Sequence, residues 1–372
     1  MSVKETVLNK LEKNRGSYVS GEALAGRLGV SRAAIGKAVK SLRDDGYRIE
    51  AVTNKGYMIP SDSGSLTEDV VRRALPRELR STDLFVYDVI DSTNLQARRL
   101  LLDETEASGR GLHGHGLPHG SVIIANQQTA GRGRLGRSFY SPKDGLYMSV
   151  IIRPDFDISR SGLITVAAAA AASRAIDEIC GCRTEIKWVN DIYLNDRKIS
   201  GILTEAATDF ESGKIDSLIV GIGINTGDGA FPSGLEDYAG TLRMAGETGS
   251  EGSTAGSVPD AHAKAKLAAL IISRLLEYAG QLSSDSGTNS GSGQTAAAGT
   301  APEFLDYYRQ RCMVLSKHIS VYKGKYREDP TVEMGGTPAL GIDIDDDGGL
   351  IVEYEDGSRE TLATGEVSVR RL

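Results

Sequence analysis

The chain has 372 residues, 40% of them hydrophobic, and a net charge of −7. That length exceeds one ordinary domain, and the apolar content is ample for buried cores. The most apolar stretch, Ile164–Ala172, is far too short to span a membrane, the opening MSVKETVLNKLEKNRG has no apolar centre of a secretory signal, and three cysteines (Cys180, Cys182, Cys312) make no disulfide framework, so a cytoplasmic protein is expected.

Charge is uneven along the chain. Residues 1–60 hold 11 Lys and Arg against 6 Asp and Glu, a balance of +5 that leaves −12 on the rest. Residues 3–14 predict a helix, with Val3, Val7, Leu8 and Leu11 at helical spacing. Ser20 can cap a second, short helix carrying Leu24, Ala25 and Leu28 and stopped by Gly29. Ser31 can cap a third over Arg32–Asp44, with Ile35, Val39 and Leu42 inward and Gly46 as its stop. Two short helices joined through Gly29-Val30-Ser31 are a helix-turn-helix, and Tyr47–Ile49 with Gly56–Ile59 around Thr53-Asn54-Lys55 predict the hairpin of a winged version. The third helix places Arg32, Lys37, Lys40 and Arg43 on its polar positions, as a helix facing DNA requires, with Ser31 and Lys55 flanking it. The bland alternative is a helical packing module with solvated lysines.

PSDSGS (60–65) reads as a linker. Beyond it helices and strands alternate, so an α/β or α+β body is expected. The strands are Leu84–Ile90, Ser121–Asn126, Leu146–Ile152, Glu185–Trp188, Lys198–Glu205 and Ser217–Ile224; the helices are Ser161–Ile179, Ala261–Ala279 and Pro302–Arg311. Gly- and Ser-rich insertions near 104–120, 246–258 and 283–300 predict flexible loops. The first contains His113 and His115 and ends near His119, but with glycines between them and no carboxylate close in sequence they read as loop rather than metal ligands. In residues 318–372, short strands Ile319–Tyr322, Leu340–Ile344, Leu350–Tyr354, Glu360–Leu362 and Val367–Arg370, broken by DDDGG and EDGS turns, fit a small β-barrel of SH3 type.

Four runs carry chemistry. In QTAGRGRLGR (128–137) the glycines satisfy G-x-G-x-x-G, but Phe139-Tyr-Ser-Pro142 follows where a dinucleotide fingerprint would open a helix. Arg132, Arg134 and Arg137 alternate with glycine instead, so guanidinium and backbone donors can enclose a polyanion; a disordered basic turn is the alternative. In KWVND (187–191) and RKISGILTE (197–205), strand, turn and strand bring Asn190, Asp191 and Lys198 to one edge, where Asp191 can hold Mg²⁺ through oxygen and Lys198 can neutralise a carboxylate attacking a phosphate; a surface hairpin is the alternative. Asp91-Ser-Thr-Asn94 ends an apolar strand, where Ser92 or Thr93 caps a helix or reads a polar ligand. Gly221-Ile-Gly-Ile-Asn225 is a strand whose glycines allow close backbone approach.

Taken in this order behind a winged helix-turn-helix, SGEALAGRLGVSRAAIGKAVKSLRDDGY, DSTN, QQTAGRGRLGR, KWVND, RKISGIL, GIGIN and the terminal GEVSVR resemble the bifunctional biotin protein ligase and biotin-operon repressor family. The resemblance runs through all three parts of the chain and lapses in the insertions. It implies an α+β multidomain protein: a winged helix-turn-helix DNA-binding domain (1–60), a central mixed-sheet, class II aminoacyl-synthetase-like catalytic domain (66–317) and an SH3-like C-terminal domain (318–372). It further implies that biotin and ATP form biotinyl-5′-AMP and pyrophosphate, and that biotin then passes to a lysine of a carboxylase's biotin carrier domain. The adenylate-bound form would dimerise and bind operator DNA.

By motif position, the family pattern assigns biotin to Ser92, Thr93, Asn94, Gln128, Arg132, Gly133, Arg134, Lys198 and Gly201. It assigns the nucleotide to Arg134, Phe139, Asn190, Lys198, Asn225 and Arg370, catalysis to Lys198 and Arg134, and Mg²⁺ to Asp191. This chain departs from the usual pattern at Val189, where proline is common, at Leu135, where a basic residue is common, and at Phe139, where tryptophan is common. A biotin-sensing repressor without ligase activity and a lipoate ligase are the competing readings.

Overall fold

The computed structural model describes residues 3–12, 14, 16–44, 47, 49–60, 65–102, 117–156, 160–208, 215–227, 231–242, 261–284, 302–323, 336–363 and 367–371. Three helices open the chain: α1 (Val3–Glu12), α2 (Gly21–Leu28) and α3 (Arg32–Asp44). The Ser20 hydroxyl accepts from Ala23 N at the head of α2, Gly29 closes that helix at φ 63, and the Ser31 hydroxyl accepts from Ala34 N at 3.1 Å to start α3. Val7, Leu11, Leu24, Ile35, Val39, Leu42, Ile49 and Ile59 form a core of their own. The antiparallel hairpin β1 (Glu50–Val52) and β2 (Gly56–Met58) follows, and Tyr57 pairs with Val19 ahead of α2. Gly56 has to be glycine: its φ is +106, and a Cβ would lie 2.1 Å from the Val19 carbonyl oxygen.

The chain enters the body at Leu66, whose N–H donates to Asn126 Oδ1 at 2.7 Å while Asn126 Nδ2 donates back to Leu66 O at 3.0 Å. The body is a seven-stranded sheet, ordered β3 (Leu84–Ile90), β4 (Val122–Gln128), β5 (Leu146–Ile152), β9 (Ile215–Ile224), β8 (Arg197–Thr208), β7 (Asp191–Leu194) and β6 (Glu185–Lys187). Only β3 and β4 run parallel; the other pairings are antiparallel. All seven residues of β5 are buried, because both faces of the sheet are covered and its sequence accordingly does not alternate. On one face Ile123, Ile151 and Ile219 pack with Ala97 of α5 (Thr93–Leu102). On the other lie α6 (Ser161–Cys180) and α7 (Ala261–Ser284), with the short α4 (Glu68–Ala74) against α7. The buried alanine run Ala167–Ala172 keeps α6 thin enough to sit close to both sheet and neighbour.

After α8 (Glu303–Arg311), β10 (His318–Lys323), β11 (Thr337–Ile344), β12 (Leu350–Tyr354), β13 (Arg359–Leu362) and β14 (Val367–Arg371) form an antiparallel five-stranded sheet in the order β13-β12-β11-β10-β14. Its core is continuous with that of the body. Trp188 Nε1 donates to Gly348 O at 3.0 Å, and Met313 N to Ile186 O at 2.9 Å.

Residues 117–120, the described end of the loop expected at 104–120, form a turn held against the sheet. Leu117 is buried in the sheet core and Gly120 N donates to Ile151 O at 2.8 Å, because the chain must already be in register to start β4. Residues 283 and 284 continue α7 rather than opening an insertion. His113, His115 and the stretches 246–258 and 285–300 lie outside the described residues. Among the described residues no helix is long and apolar enough to cross a membrane.

Candidate active site

Four segments converge on one cleft at the ends of β3, β4, β8 and β9, enclosing about 1140 Å³ of empty space with its open mouth included. The first segment follows β3. Ser92, Thr93 and Asn94 are nearly fully buried where α5 begins. Asp91 fixes this corner: Oδ1 accepts from Ser92 N at 2.7 Å, and the carboxylate pairs with Arg99. The Arg99 hydrogen bond is the main reason the Asp91 carboxyl titrates below its ordinary value.

The Asn94 amide is held on both ends. Its Oδ1 accepts from Ser149 Oγ at 2.7 Å, and its Nδ2 donates to Glu205 Oε2 at 2.8 Å and to Leu203 O at 3.3 Å. It lies directly over Gly221, which pairs with Ser149 and with Leu203 in the sheet. A Cβ on Gly221 would stand 2.2 Å from Asn94 Oδ1, so the strand must be glycine there for the amide to fit.

Gln128, the last residue of β4, is fixed as firmly. Its Oε1 accepts from Thr93 N at 2.8 Å and from Thr93 Oγ1 at 3.2 Å. Its Nε2 donates to Ser141 Oγ at 2.9 Å, and Ser141 Oγ donates in turn to Phe139 O at 2.9 Å. The loop between starts and ends against this anchor: Phe139 N donates to Gly131 O at 2.9 Å, and Gly133 N to Arg137 O at 2.8 Å. From the loop, Arg134 Nη1 donates to Asn190 Oδ1 at 3.1 Å, and Arg132 Nη1 stands 3.3 Å from Glu205 Oε1. Burial draws the Arg134 guanidinium below its ordinary pKa, and the nearby Asp191 carboxylate opposes that shift; the group remains a cation at neutral pH.

The third wall is the turn joining β6 to β7. Asn190 Nδ2 donates to Ile202 O at 2.9 Å, and Ile202 N donates to Asn190 O at 2.8 Å. Tyr308 of α8 supports the turn from behind, donating its hydroxyl to Val189 O at 3.1 Å, and its complete burial pushes that phenol far above its ordinary pKa. Lys198 Nζ lies 2.6 Å from Asp191 Oδ1, an ion pair without the alignment of a hydrogen bond. The Lys198 backbone is strapped by the 231–242 segment, through Lys198 N to Tyr238 O and Gly240 N to Lys198 O, both 2.8 Å. The floor is formed by Gly201 and Gly223, paired across β8 and β9, with the Phe139 ring packed over both.

Arg132, Arg134, Arg137, Lys187 and Lys198 thus line the cleft beside a single lining carboxylate, Asp191. Such a wall takes a polyanion, while two amides locked in orientation read the polar edge of a neutral group.

Comparison with known proteins finds three family models along the chain. Residues 81–225 match the biotin/lipoate A/B protein ligase family, residues 3–58 an HTH domain, and residues 331–370 the biotin protein ligase C terminal domain. The bifunctional ligase/repressor BirA of Bacillus subtilis (strain 168) is 37% identical over 231 residues, which cover 61% of this chain and 67% of that one. The chain belongs to the biotin protein ligase and repressor family. The BirA of Escherichia coli (strain K12) is 33% identical over 211 residues, 56% of this chain and 60% of that one. A biotin protein ligase from Aquifex aeolicus solved with biotin and ATP shares the fold, with a TM-score of 0.55 at 23% identity over 78% of this chain and 99% of that one.

Within this ligase fold, the structure brings Ser92, Thr93, Asn94, Gln128, Arg132, Gly133, Arg134, Phe139, Asn190, Asp191, Lys198 and Gly201 to one cleft. It does not bring Asn225 there. That side chain is buried and donates to Gly240 O at 3.1 Å, where it ties the end of β9 to the 231–242 segment. The Arg370 backbone pairs with Ser320 in the C-terminal sheet, and its side chain lies outside the described residues. Ser31, Arg32, Lys37 and Lys40 are exposed along α3, and Lys55 is exposed at the hairpin tip with Nζ 5.7 Å from the Tyr18 ring centroid. Arg43 is different from these: its guanidinium donates to Ile49 O at 2.6 and 2.9 Å and so ties α3 to β1. Among the described residues no three His, Cys, Asp or Glu side chains gather as a metal site.

Sequence reasoning missed Glu205, which sits behind the cleft and touches both Asn94 and Arg132. The signal available was a single carboxylate on an otherwise apolar and small-residue strand, Ile199–Ala207.

Proposed function

We propose that this chain is an ATP-dependent biotin protein ligase that joins biotin and ATP to biotinyl-5′-AMP and pyrophosphate, transfers biotin to a lysine of a biotin carrier domain, and in its adenylate-bound form represses biotin genes. The observation that carries the reading is the convergence of the locked Asn94 and Gln128 amides with Arg132, Arg134 and Lys198 in one cleft.

Ser92, Thr93, Asn94 and Gln128 take the biotin end, with Gly133 and Gly201 giving room for close approach. A biotin carboxylate attacking the α-phosphate meets like charge. Lys198 and Arg134 are the catalytic residues that reduce this repulsion and stabilise charge spreading onto the phosphate oxygens, and pyrophosphate leaves. Phe139 offers an aromatic face to the nucleotide, Asn190 holds the turn against it, and Arg370 lies on the chain segment assigned to the triphosphate. The loop 131–137 covers the acyl adenylate and excludes water until the acceptor amine attacks the acyl carbon and AMP departs.

Asp191 fits Mg²⁺ as an oxygen ligand, since it is the carboxylate lining the cleft and Asn190 adjoins it; the Lys198 ammonium, 2.6 Å from Oδ1, would have to yield that oxygen to the ion. With one protein carboxylate, ATP oxygens and water would complete the shell, and the ion would supply neutralisation of phosphate charge.

On this reading the working units are 1–60, a winged helix-turn-helix; 66–317, the catalytic domain; and 318–372, an SH3-like barrel. Ser31, Arg32, Lys37, Lys40 and Lys55 contact operator DNA, and a dimer of the cytoplasmic, adenylate-bound protein places two α3 helices on paired half-sites. The test is incubation of the chain with a purified biotin carrier domain, biotin and ATP, read by intact mass. A mass gain of one biotin, lost when the acceptor lysine is replaced by arginine and unaffected by excess lipoate, supports the ligase. A carrier left unmodified by an otherwise folded, biotin-binding chain rejects it. Filter binding of operator DNA with and without biotinyl-AMP tests the repressor in the same way.

A further inference from the structure

Glu205 is not part of the cleft lining, yet its carboxylate bridges two pieces of it. Oε2 accepts from Asn94 Nδ2 at 2.8 Å, and Oε1 stands 3.3 Å from Arg132 Nη1 and 3.7 Å from Arg98 Nη2. Its side chain is 17% exposed, while those of Arg132 and Arg98 are 43% and 41% exposed. The carboxylate is therefore the fixed member of the group, set on β8, and the arginines are the adjustable ones. Asn94 depends on it for orientation. With Ser149 Oγ on Oδ1 and Glu205 on Nδ2, the amide cannot flip without losing both bonds. Arg132 depends on it for position, since among the described contacts it is the carboxylate that meets that loop guanidinium.

Resting on the ligase reading above, we propose that Glu205 is a positioning residue that couples biotin recognition to loop closure, its one carboxylate setting the Asn94 amide and latching Arg132 over the bound adenylate. The two duties are chemically separable. Asn94 needs only an acceptor oxygen, which glutamine supplies; Arg132 needs a negative charge, which glutamine lacks.

Glu205→Gln therefore keeps biotin affinity within about twofold of wild type and speeds release of preformed biotinyl-AMP by about fivefold, the worth of a partly exposed ion pair. Glu205→Ala weakens biotin binding as well as adenylate retention. Arg132→Ala combined with Glu205→Gln releases adenylate no faster than Arg132→Ala alone, because the latch is then already gone. The measurement is biotin titration calorimetry together with the release rate of labelled biotinyl-AMP from full-length protein, alongside thermal melts. A merely structural glutamate would lower the melting temperature and move both readouts together in the glutamine and alanine variants. That parallel loss overturns the proposal, as does unchanged adenylate release in Glu205→Gln. A wild-type chain that forms and holds no biotinyl-AMP overturns the ligase reading itself, and the coupling with it.

Discussion

Gly221→Ala is the smallest change that reaches the biotin end of the cleft. The added Cβ would lie 2.2 Å from Asn94 Oδ1, 2.9 Å from Cγ and 3.0 Å from Nδ2. No positive φ is involved, so the backbone accepts alanine and the conflict is purely with the amide. A tolerable contact requires the amide to withdraw by roughly 1 Å. It has no free direction to take, because Ser149, Glu205 and Leu203 hold it at 2.7, 2.8 and 3.3 Å. Withdrawal breaks at least one of these buried bonds, at about 1–3 kcal/mol for the group left unsatisfied. The same displacement spoils a preset contact to biotin, so affinity falls about 10- to 100-fold, at 1.4 kcal/mol for each tenfold. Isothermal titration of biotin against wild type and Gly221→Ala reads this directly, with a thermal melt showing that the variant is folded. A biotin Kd within twofold of wild type would refute the reasoning about Asn94.

Gly280→Ala is the matched control: a Cβ there meets nothing within 4 Å, and the helical position favours alanine, so denaturant unfolding shows a gain of about 0.5–1 kcal/mol with biotin affinity unchanged. Asp91 titrates below the ordinary carboxylate range when folded, because it accepts from Arg99, so its ionised form stabilises the native state above the unfolded pKa and the contribution disappears as pH falls through the lower, folded value. Stability curves of wild type and Asp91→Asn accordingly differ at neutral pH and converge on the acid side; a gap that persists there contradicts the assignment. Lys37→Ala leaves pyrophosphate exchange intact and lowers the salt slope of operator binding by about one counterion, measured by filter binding across a salt series.

Local patterning made most of the fold legible. The apolar spacing and the Ser20, Ser31 and Gly29 caps fix α2 and α3, and the unbroken apolar run Leu146–Ile152 gives a fully buried strand. What escaped was set by longer-range contacts. β7 hides in a stretch read as a turn, although Asn195 and Asp196, at φ 52 and 57, are the left-handed pair of a tight hairpin. The cleft residues were readable because runs such as GRGRLGR and KWVND concentrate unusual side chains. Glu205 was not, since its partners Asn94 and Arg132 lie 111 and 73 positions away, and only the packing of α5 and of the 131–137 loop against the sheet brings them together. Asn225 was misleading for the same reason: its partner, Gly240, belongs to a segment without strand or helix pattern.

On the proposed reaction, the cationic cleft forms an acyl adenylate from biotin. Biotin-dependent exchange of labelled pyrophosphate into ATP tests it, with wild type compared against Lys198→Ala. Wild type is expected to exchange robustly and to lose about 10²- to 10³-fold without the Lys198 ammonium. Exchange that needs no biotin, or that survives undiminished in Lys198→Ala, would contradict it.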